Sequence, residues 1–251
     1  IVLPFLLTVA MLVFAGCMET TEELTIAADG SGTYHVGMDM SGLFDLMDAM
    51  KAMDASGTEN KKGEKMDTLI AMRDFADTAS HLSAEQKALL QNAHMKMKMD
   101  EAAKEFKMDM RFPFAKIGDV TKLMQFSQSG GGNVMDNMLK GAPVAGNGGG
   151  EKMPDLNSYY DMVVTGNVIE RKLNKEKYAA MQQGEQVKGM QQAGDMLESI
   201  KYNTVIHLPR PAKSIKGTHA QLSADKKTLT LKGTLQDLFQ DPEAFSYRIE
   251  Y

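Results

Sequence analysis

Cys17 is the only cysteine in the 251-residue chain, and its thiol is the most reactive group that the sequence offers. It follows an uncharged apolar run, Ile1–Phe14, and the small residues Ala15 and Gly16 stand directly before it. Because no second cysteine exists, no disulfide can form within the chain. The chemistry expected at Cys17 is therefore modification of the thiol, and the folded part of the chain must depend on its core alone.

The apolar run before Cys17 is too short to cross a membrane. As a helix, residues 1–16 would span roughly 24 Å at ~1.5 Å per residue, whereas the hydrocarbon core is ~30 Å thick. The length therefore favours the hydrophobic region of a signal peptide. A signal peptide opens with a basic segment, so we expect the sequence, which begins at Ile1, to start partway into the signal. The alternative is a buried N-terminal helix with an incidental cysteine.

The segment Phe14-Ala15-Gly16-Cys17 resembles the lipobox of bacterial lipoproteins, in which the cysteine is lipidated and becomes the mature N-terminus. The resemblance implies that Cys17 carries two or three acyl chains of the palmitate type, each stabilising the anchor by ~0.8 kcal/mol per buried CH₂. The acidic segment Met18–Glu23 resembles the tag that routes some Bacteroidetes lipoproteins to the outer membrane and surface. We expect that segment to be a solvated tether, and the protein to be lipid-anchored in the cell envelope, in the outer membrane and facing the periplasm or the surface.

The 22 methionines are the second group of residues with a chemical use. Met and His are soft ligands for Cu(I), and they alternate with lysine in the segment His94–Met99. On a strand, alternate residues point to opposite faces. The three methionines then share the face expected in the core, and His94 lies beside two lysines that repel a cation. A core role is favoured, and a Met-rich extracytoplasmic Cu(I)-binding protein is the alternative.

Other catalytic and metal-binding patterns do not occur in the sequence. The glycine clusters 130–132 and 148–150 lack the Gly-Lys-Ser/Thr of a phosphate loop, and no Gly-x-Ser-x-Gly is present. The net charge of −5 and the pI near 5.6 give no electrostatic reason to bind nucleic acid. The histidines are scattered without zinc-ligand spacing: His35, His81, His94, His207 and His219. We therefore expect a non-enzymatic protein with no catalytic residue, metal or cofactor.

Alternating apolar and polar residues predict three β-hairpins. They span Glu23–Met40 around the turn Asp29–Gly32, His94–Phe112, and Tyr159–Lys172 around Gly166-Asn167. Because short connections between neighbouring strands favour antiparallel pairing, we expect one curved antiparallel sheet built from successive hairpins. Further strands are predicted near the end of the chain: Ile200–Leu208, Lys213–Leu222, Thr228–Gly233 and Ser246–Tyr251.

Helical spacing of apolar residues follows each hairpin and predicts helices at 43–53, 117–128 and about 174–199. A capping box predicts a further short helix at Ser83–Asn92, and the segment 66–76 fits either a strand or a helix. Flexible polar or glycine-rich loops are expected at about 56–65 and 129–152. The predicted class is α+β. A signal peptide at 1–17 precedes a single ectodomain at 18–251, whose helices pack on one face of the sheet.

The expected inner face of the sheet is rich in methionine and phenylalanine. Flexible Met side chains adapt to varied apolar surfaces, so such an interior can line a pocket. The alternative is a filled core in a purely structural domain. The residues predicted to line an apolar pocket are Met97, Met108, Met110, Phe112, Met190 and Leu197.

A broader resemblance extends over most of the mature chain. The lipobox, the opening Leu24–Gly32 and the closing segment from His207-Leu208-Pro209-Arg210-Pro211 to Tyr251 together resemble uncharacterised lipoproteins of Bacteroidetes-type bacteria. The acylated cysteine, the Asp-Gly turn and the late Leu-Pro strand also resemble mycobacterial lipoproteins whose ectodomain is similar to lipid-binding helix-grip folds. The resemblance implies a membrane-anchored envelope protein whose partner is a lipid or another envelope protein.

Overall fold

The computed structural model describes residues 18–45, 48, 65–79, 82–126, 156–184, 187 and 194–251. Cys17 and the predicted signal peptide lie outside these residues, as do Met190 and the predicted loop at 129–152. The predicted loop at 56–65 also lies outside them except for Lys65, which is the first residue of a strand.

The described residues form twelve strands in two sheets, and the α+β class is confirmed. The first sheet has the order β10-β11-β8-β1-β2-β5-β4-β3, and the second has the order β6-β7-β12-β9. The strands are β1 Met18–Ile26, β2 Gly32–Asp39, β3 Lys65–Ala71, β4 His94–Asp100, β5 Glu105–Phe114, β6 Tyr160–Val164, β7 Val168–Leu173, β8 Ile200–His207, β9 Ser214–Lys216, β10 Ala220–Leu222, β11 Thr228–Thr234 and β12 Tyr247–Glu250.

All three predicted hairpins are present, as the antiparallel pairs β1–β2, β4–β5 and β6–β7. The prediction of a single antiparallel sheet is wrong in two respects. The third hairpin belongs to the second sheet, and β8 pairs with β1 in parallel, with Met18 opposite Ile200. The predicted strand Lys213–Leu222 is also divided at Gly217, whose φ of +137° bends the chain. Its first part, β9, joins the second sheet, and its second part, β10, joins the first.

The segment Met18–Glu23 is not the solvated tether that its acidic composition predicted. It forms the first two thirds of β1, hydrogen-bonded to β2 on one side and β8 on the other. Residues Glu22, Leu24 and Ile26 point to the inner face of the sheet, where Leu24 and Ile26 are buried. One acidic residue of the predicted tether, Glu22, therefore lies on the inner face of the sheet, with 15% of its side chain exposed.

The helices that the structure describes are α1 Met72–Thr78, α2 Ala84–Leu90, α3 Gly118–Phe126, α4 Lys175–Gln182 and α5 Leu235–Gln240. Residues 42–45 and 48 are also helical, in agreement with the helix predicted after the first hairpin. The ambiguous segment 66–76 contains both a strand and a helix: all of β3 except Lys65, and the first five residues of α1. No helix in the described part of the chain has the length and apolar character needed to span a bilayer.

Three of the described helices begin directly after an N-cap residue whose side chain accepts a backbone hydrogen bond. Ser83 and Gln86 form the predicted capping box of α2. The helix predicted over about 174–199 is interrupted: α4, with its N-cap at Asn174, ends at Gln182, Val187 is again helical, and Gly194–Ser199 is a 3₁₀ helix. Helix α5 was not predicted, although Thr234 and Asp237 form a second capping box at its start.

The core lies on the inner face of the first sheet. On β4, Met95, Met97 and Met99 are between 1% and 4% exposed, while His94 on the opposite face is exposed. On β5, Phe106, Met108 and Phe112 are buried as well; Phe106 pairs with Met99 and Met108 with Met97 across the strands. The prediction that these methionines form core is confirmed. Helices α2 and α3 pack against β5, and α5 packs against β8 and β11.

The close approach of β2 to β1 makes Gly32 irreplaceable. A Cβ at this position would lie 1.9 Å from the carbonyl oxygen of Thr25 and 2.6 Å from the ring of Phe114. Since the Thr25 oxygen is backbone, the strands themselves must shift. We expect Gly32→Ala to lower the free energy of unfolding by about 2–3 kcal/mol, as measured by urea denaturation.

The matched control is Gly37→Ala on the same strand. A Cβ there meets nothing closer than 3.6 Å, which is an ordinary contact. We expect that variant to change stability by less than about 1 kcal/mol. Equal losses from the two substitutions would contradict the described pairing of β1 and β2.

Candidate ligand site between the two sheets

A charged side chain lies in the interior where the two sheets meet. Along β7, Ile169, Arg171 and Leu173 are buried and the residues between them are not, so Arg171 occupies an apolar face. The Arg171 residue is only 1% exposed. It pairs in register with Tyr247 on β12 and approaches Glu22, which extends from the inner face of β1 in the other sheet.

Arg171 and Glu22 form the centre of a group that we call the buried polar cluster: Glu22, Tyr34, Asn157, Tyr160, Arg171 and Tyr247. Arg171 Nη1 lies 3.7 Å from Glu22 Oε2, and the guanidinium carbon is 4.6 Å from the centre of the Tyr160 ring. The other carboxylate oxygen of Glu22 accepts hydrogen bonds from the Tyr34 hydroxyl, at 3.2 Å, and from the Asn157 amide. The Glu22 carboxylate is therefore well supplied with donors.

Arg171 is not equally well supplied with acceptors. Its Nε and Nη2 atoms are fully buried and have no hydrogen-bond partner within the described residues. Burying a polar group without a partner is unfavourable by about 1–3 kcal/mol, and more for a charged group. The cation–π contact with Tyr160 stabilises the charge but accepts neither of these two N–H groups in the plane of the guanidinium. The cluster therefore has unused donor capacity at its centre.

The tyrosines around Arg171 are held in their neutral form. Burial raises the pKa of Tyr160 and Tyr247 well above the usual phenol value, and the positive charge of Arg171 opposes this only in part. The Tyr160 hydroxyl donates a 2.6 Å hydrogen bond to the carbonyl of Pro242. Both phenols therefore stay neutral beside the guanidinium.

The raised pKa values predict alkaline sensitivity. In the unfolded chain the phenols ionise near pH 10, whereas in the folded protein Tyr160 and Tyr247 remain neutral at higher pH. Their contribution to stability is therefore complete below about pH 10 and is lost as the pH rises above it. We expect the ultraviolet absorbance of tyrosinate from these two residues to appear together with unfolding. Its full appearance while the protein is still folded would contradict this account.

The buried polar cluster borders four of the residues predicted to line a pocket. We call these four the Met- and Phe-rich wall: Met97, Met108, Met110 and Phe112. The Tyr34 ring stacks on Phe112, with centroids 6.1 Å apart and planes 29° apart. From Phe112 the wall continues across β5 and β4 through Met108, Met110 and Met97. The structure thus brings together four of the six residues predicted to line a pocket, and that these residues line a cavity stays a prediction.

The other two predicted pocket residues are placed differently. Leu197 is buried on the 3₁₀ helix Gly194–Ser199, which contacts β8 and β11. Strand β8 is four positions from β4 in the sheet, or about 19 Å at ~4.8 Å per strand. Glu22 on β1 and Tyr34 on β2, the members of the buried polar cluster that belong to the first sheet, lie between these two regions, and Met190 lies outside the described residues.

Neither Glu22 nor Arg171 was predicted as a site residue. The acidic neighbours of Glu22 predict a solvated tether, and the alternation around Arg171 predicts a hairpin strand without indicating a role for this residue. The alternation Ile169-Arg171-Leu173 is the signal that would have found the second residue, since it places a charge on an apolar face. The alternation Glu22-Leu24-Ile26 is the corresponding signal for Glu22, since it places this charge on the same strand face as two apolar residues.

The copper alternative has no support in the described geometry. Met95, Met97 and Met99 are enclosed in the core, and His94 points to the other face of the sheet. Within the described ranges, no group of three or more His, Cys, Asp or Glu side chains is arranged to hold a metal ion.

Comparisons with known proteins gave one distant likeness in structure. No family model and no curated protein matches this sequence. The fold is similar to the NMR structure of the folded domain of LppM from Mycobacterium tuberculosis, with a TM-score of 0.38 and 8% sequence identity. The match covers 93% of this chain and 88% of that one.

Proposed function

We propose that the protein is a non-enzymatic lipoprotein of the bacterial cell envelope that binds an amphipathic lipid between its two sheets. The observation that carries this proposal is the continuity between the buried polar cluster and the Met- and Phe-rich wall, through the stacked rings of Tyr34 and Phe112. Such an interior offers polar groups for a headgroup and an adaptable apolar surface for a tail. A ligand with a polar headgroup and an apolar tail therefore fits this interior better than a wholly apolar or wholly polar ligand.

The anchor supports the proposal independently. Phe14-Ala15-Gly16-Cys17 has the lipobox pattern, and β1 begins at Met18, the very next residue. Lipidated Cys17 would therefore hold the end of the first sheet directly at the membrane surface. Glu22 is four residues further along β1, or about 13 Å at ~3.3 Å per residue. The buried polar cluster would then lie close to a supply of lipids.

We further propose that the protein lies in the outer membrane of a Bacteroidetes-type bacterium and faces the periplasm or the surface. The lipobox and the acidic residues that follow Cys17 support this proposal. The interior position of the buried polar cluster favours a lipid over another envelope protein as the partner. No copper-carrier function is proposed, because the methionines that suggested it are core residues.

Native mass spectrometry of the protein extracted from bacterial membranes tests the lipid-binding function. We expect adducts in the mass range of membrane lipids that disappear on denaturation, whereas the covalent acyl chains on Cys17 remain. Removal of the adducts should lower the melting temperature, and adding back the extracted lipids should restore it.

The Cys17→Ser protein, purified without detergent, provides the matched control for adducts acquired from micelles. The absence of non-covalent lipid from both preparations, with no effect of delipidation on stability, would overturn the proposed function. An adduct of protein mass in place of a lipid would overturn it in favour of a protein partner.

A further inference from the structure

We propose that Arg171 binds the acidic group of the lipid, a carboxylate or a phosphate, through the edge of its guanidinium formed by Nε and Nη2. This inference rests on the proposed lipid-binding function and specifies the chemistry of the ligand. It assigns Arg171 as the residue that recognises the headgroup and the Met- and Phe-rich wall as the surface that receives the tail.

The geometry of the guanidinium carries the inference. Nη1 lies on the same side of the group as the side-chain Cδ, so the N–H of Nε and one N–H of Nη2 point in parallel from the opposite edge. Nη1 is the atom that approaches Glu22, at 3.7 Å. Nε and Nη2 are the two buried atoms with no partner in the described part of the chain. The unused donors are thus a matched pair on one edge.

A pair of parallel donors selects its acceptor by shape. Two oxygens of one carboxylate or one phosphate accept such a pair simultaneously, in the bidentate arrangement characteristic of arginine. A hydroxyl or an ester carbonyl presents one oxygen and leaves the second N–H buried without a partner. An acidic group is therefore favoured over a neutral headgroup, and arginine over lysine, whose ammonium has no such edge.

The charges of the surroundings are consistent with one bound anion. Glu22 already accepts hydrogen bonds from Tyr34 and Asn157 in addition to the approach of Arg171, so its charge is distributed over three partners. Tyr160 and Tyr247 are neutral neighbours of Arg171 and add no negative charge. Tyr160 presents the face of its ring to the guanidinium. The edge formed by Nε and Nη2 is then the place in the buried polar cluster where an anion meets donors without displacing an existing contact.

The test compares three probes on membrane-extracted, delipidated protein: oleate, dioleoylphosphatidylglycerol and oleyl alcohol. We expect oleate and the phospholipid to bind and oleyl alcohol to bind roughly 10- to 100-fold more weakly, the range expected for charge-assisted hydrogen bonds to a buried group. Binding of both oleate and the phospholipid supports a site that recognises an acidic group. The one that binds with higher affinity identifies the natural group as a carboxylate or a phosphate. Equal affinity for oleyl alcohol and oleate would overturn the assignment to Arg171 while leaving lipid binding intact.

Variants at Arg171 test whether this residue causes the difference in affinity between oleate and oleyl alcohol. Arg171→Met should reduce the affinity for oleate to that for oleyl alcohol, and Arg171→Lys should lie between Arg171→Met and the wild type. Arg248→Met is the matched control, since Arg248 lies on neighbouring β12 but pairs with Glu170 and Glu250 on the outer face. Unchanged oleate affinity in a folded Arg171→Met protein would overturn the inference.

A measurement on the wild type covers the case in which Arg171→Met does not fold. In ¹H–¹⁵N spectra, the Nε–H resonance of Arg171, identified by its absence in Arg171→Lys, should shift when oleate is added and remain in place with oleyl alcohol. An Nε–H resonance that does not respond to bound oleate would overturn the inference. Failure of all three probes to bind would instead contradict the proposed function itself, so the two failures are distinguishable.

Discussion

Replacing Glu22 with Leu is expected to lower the free energy of unfolding by about 3–5 kcal/mol, the loss typical of removing one partner from a buried ion pair. Arg171 is 1% exposed and Glu22 is the carboxylate beside it, so the variant leaves a buried guanidinium without a counter-charge. The Tyr34 hydroxyl and the Asn157 amide lose an acceptor at the same time. Urea denaturation, with ligand-free protein, measures the change.

The control is Glu23→Leu, one residue further along β1 and on the outer face. Glu23 contacts His207 and His35, but its side chain is 40% exposed, and exposed ion pairs contribute about 0–1 kcal/mol. The double variant Glu22→Leu/Arg171→Met should recover much of the stability lost in Glu22→Leu, because it removes the unpaired charge. A loss in Glu22→Leu no larger than that in Glu23→Leu, with no recovery in the double variant, would contradict the buried pairing.

Replacing Cys17 with Ser is expected to release the protein from membranes almost completely. Serine retains the size of cysteine but lacks the thiol that is acylated, and two acyl chains anchor far more firmly than one. Fractionation after a carbonate wash, together with labelling by radioactive palmitate, measures both consequences. We expect the wild type in the labelled membrane fraction and the variant in the unlabelled soluble fraction.

The fold should not depend on this residue. In the described part of the chain, residues from Leu24 onward form the buried core, and serine differs from cysteine by a single atom. The melting temperature of Cys17→Ser should therefore equal that of the wild type when both are measured in the same detergent. A variant that stays with the membranes as completely as the wild type would show that Cys17 is not the anchor.

Individual strands and helices were predictable because the patterns that indicate them lie within a few consecutive residues. Period-2 alternation placed Met95, Met97 and Met99 on one face of β4, and the structure buries all three. The capping box at Ser83 likewise fixed the start of α2. A second capping box, at Thr234 and Asp237, was present in the sequence and would have predicted α5.

The arrangement of the sheets was not predictable in the same way. The parallel pairing of β1 with β8 joins residues about 180 positions apart, and no feature of either strand specifies the other. The division of the chain between two sheets depends on Gly217, whose positive φ is set by its surroundings. Glycines are common in turns, so this one did not stand out from the remaining 21.

The candidate site was predicted in its apolar half only. Met97, Met108, Met110 and Phe112 follow from the alternation of β4 and β5, whereas Arg171 and Glu22 depend on contact between different sheets. A charge within a strand is usually assigned to the wet face, because burying it without a partner is unfavourable. Glu22 and Arg171 depart from this rule together, since each is the partner that makes the burial of the other tolerable.

A crystal structure of the protein extracted from its native membrane shows directly whether a lipid lies between the two sheets. We expect elongated electron density that is not protein, with two oxygens in hydrogen-bonding distance of Arg171 Nε and Nη2 and a tail along Phe112, Met108 and Met97. Density for ordered water molecules alone at Arg171, with the side chains of the wall packed together and no volume between them, would contradict it.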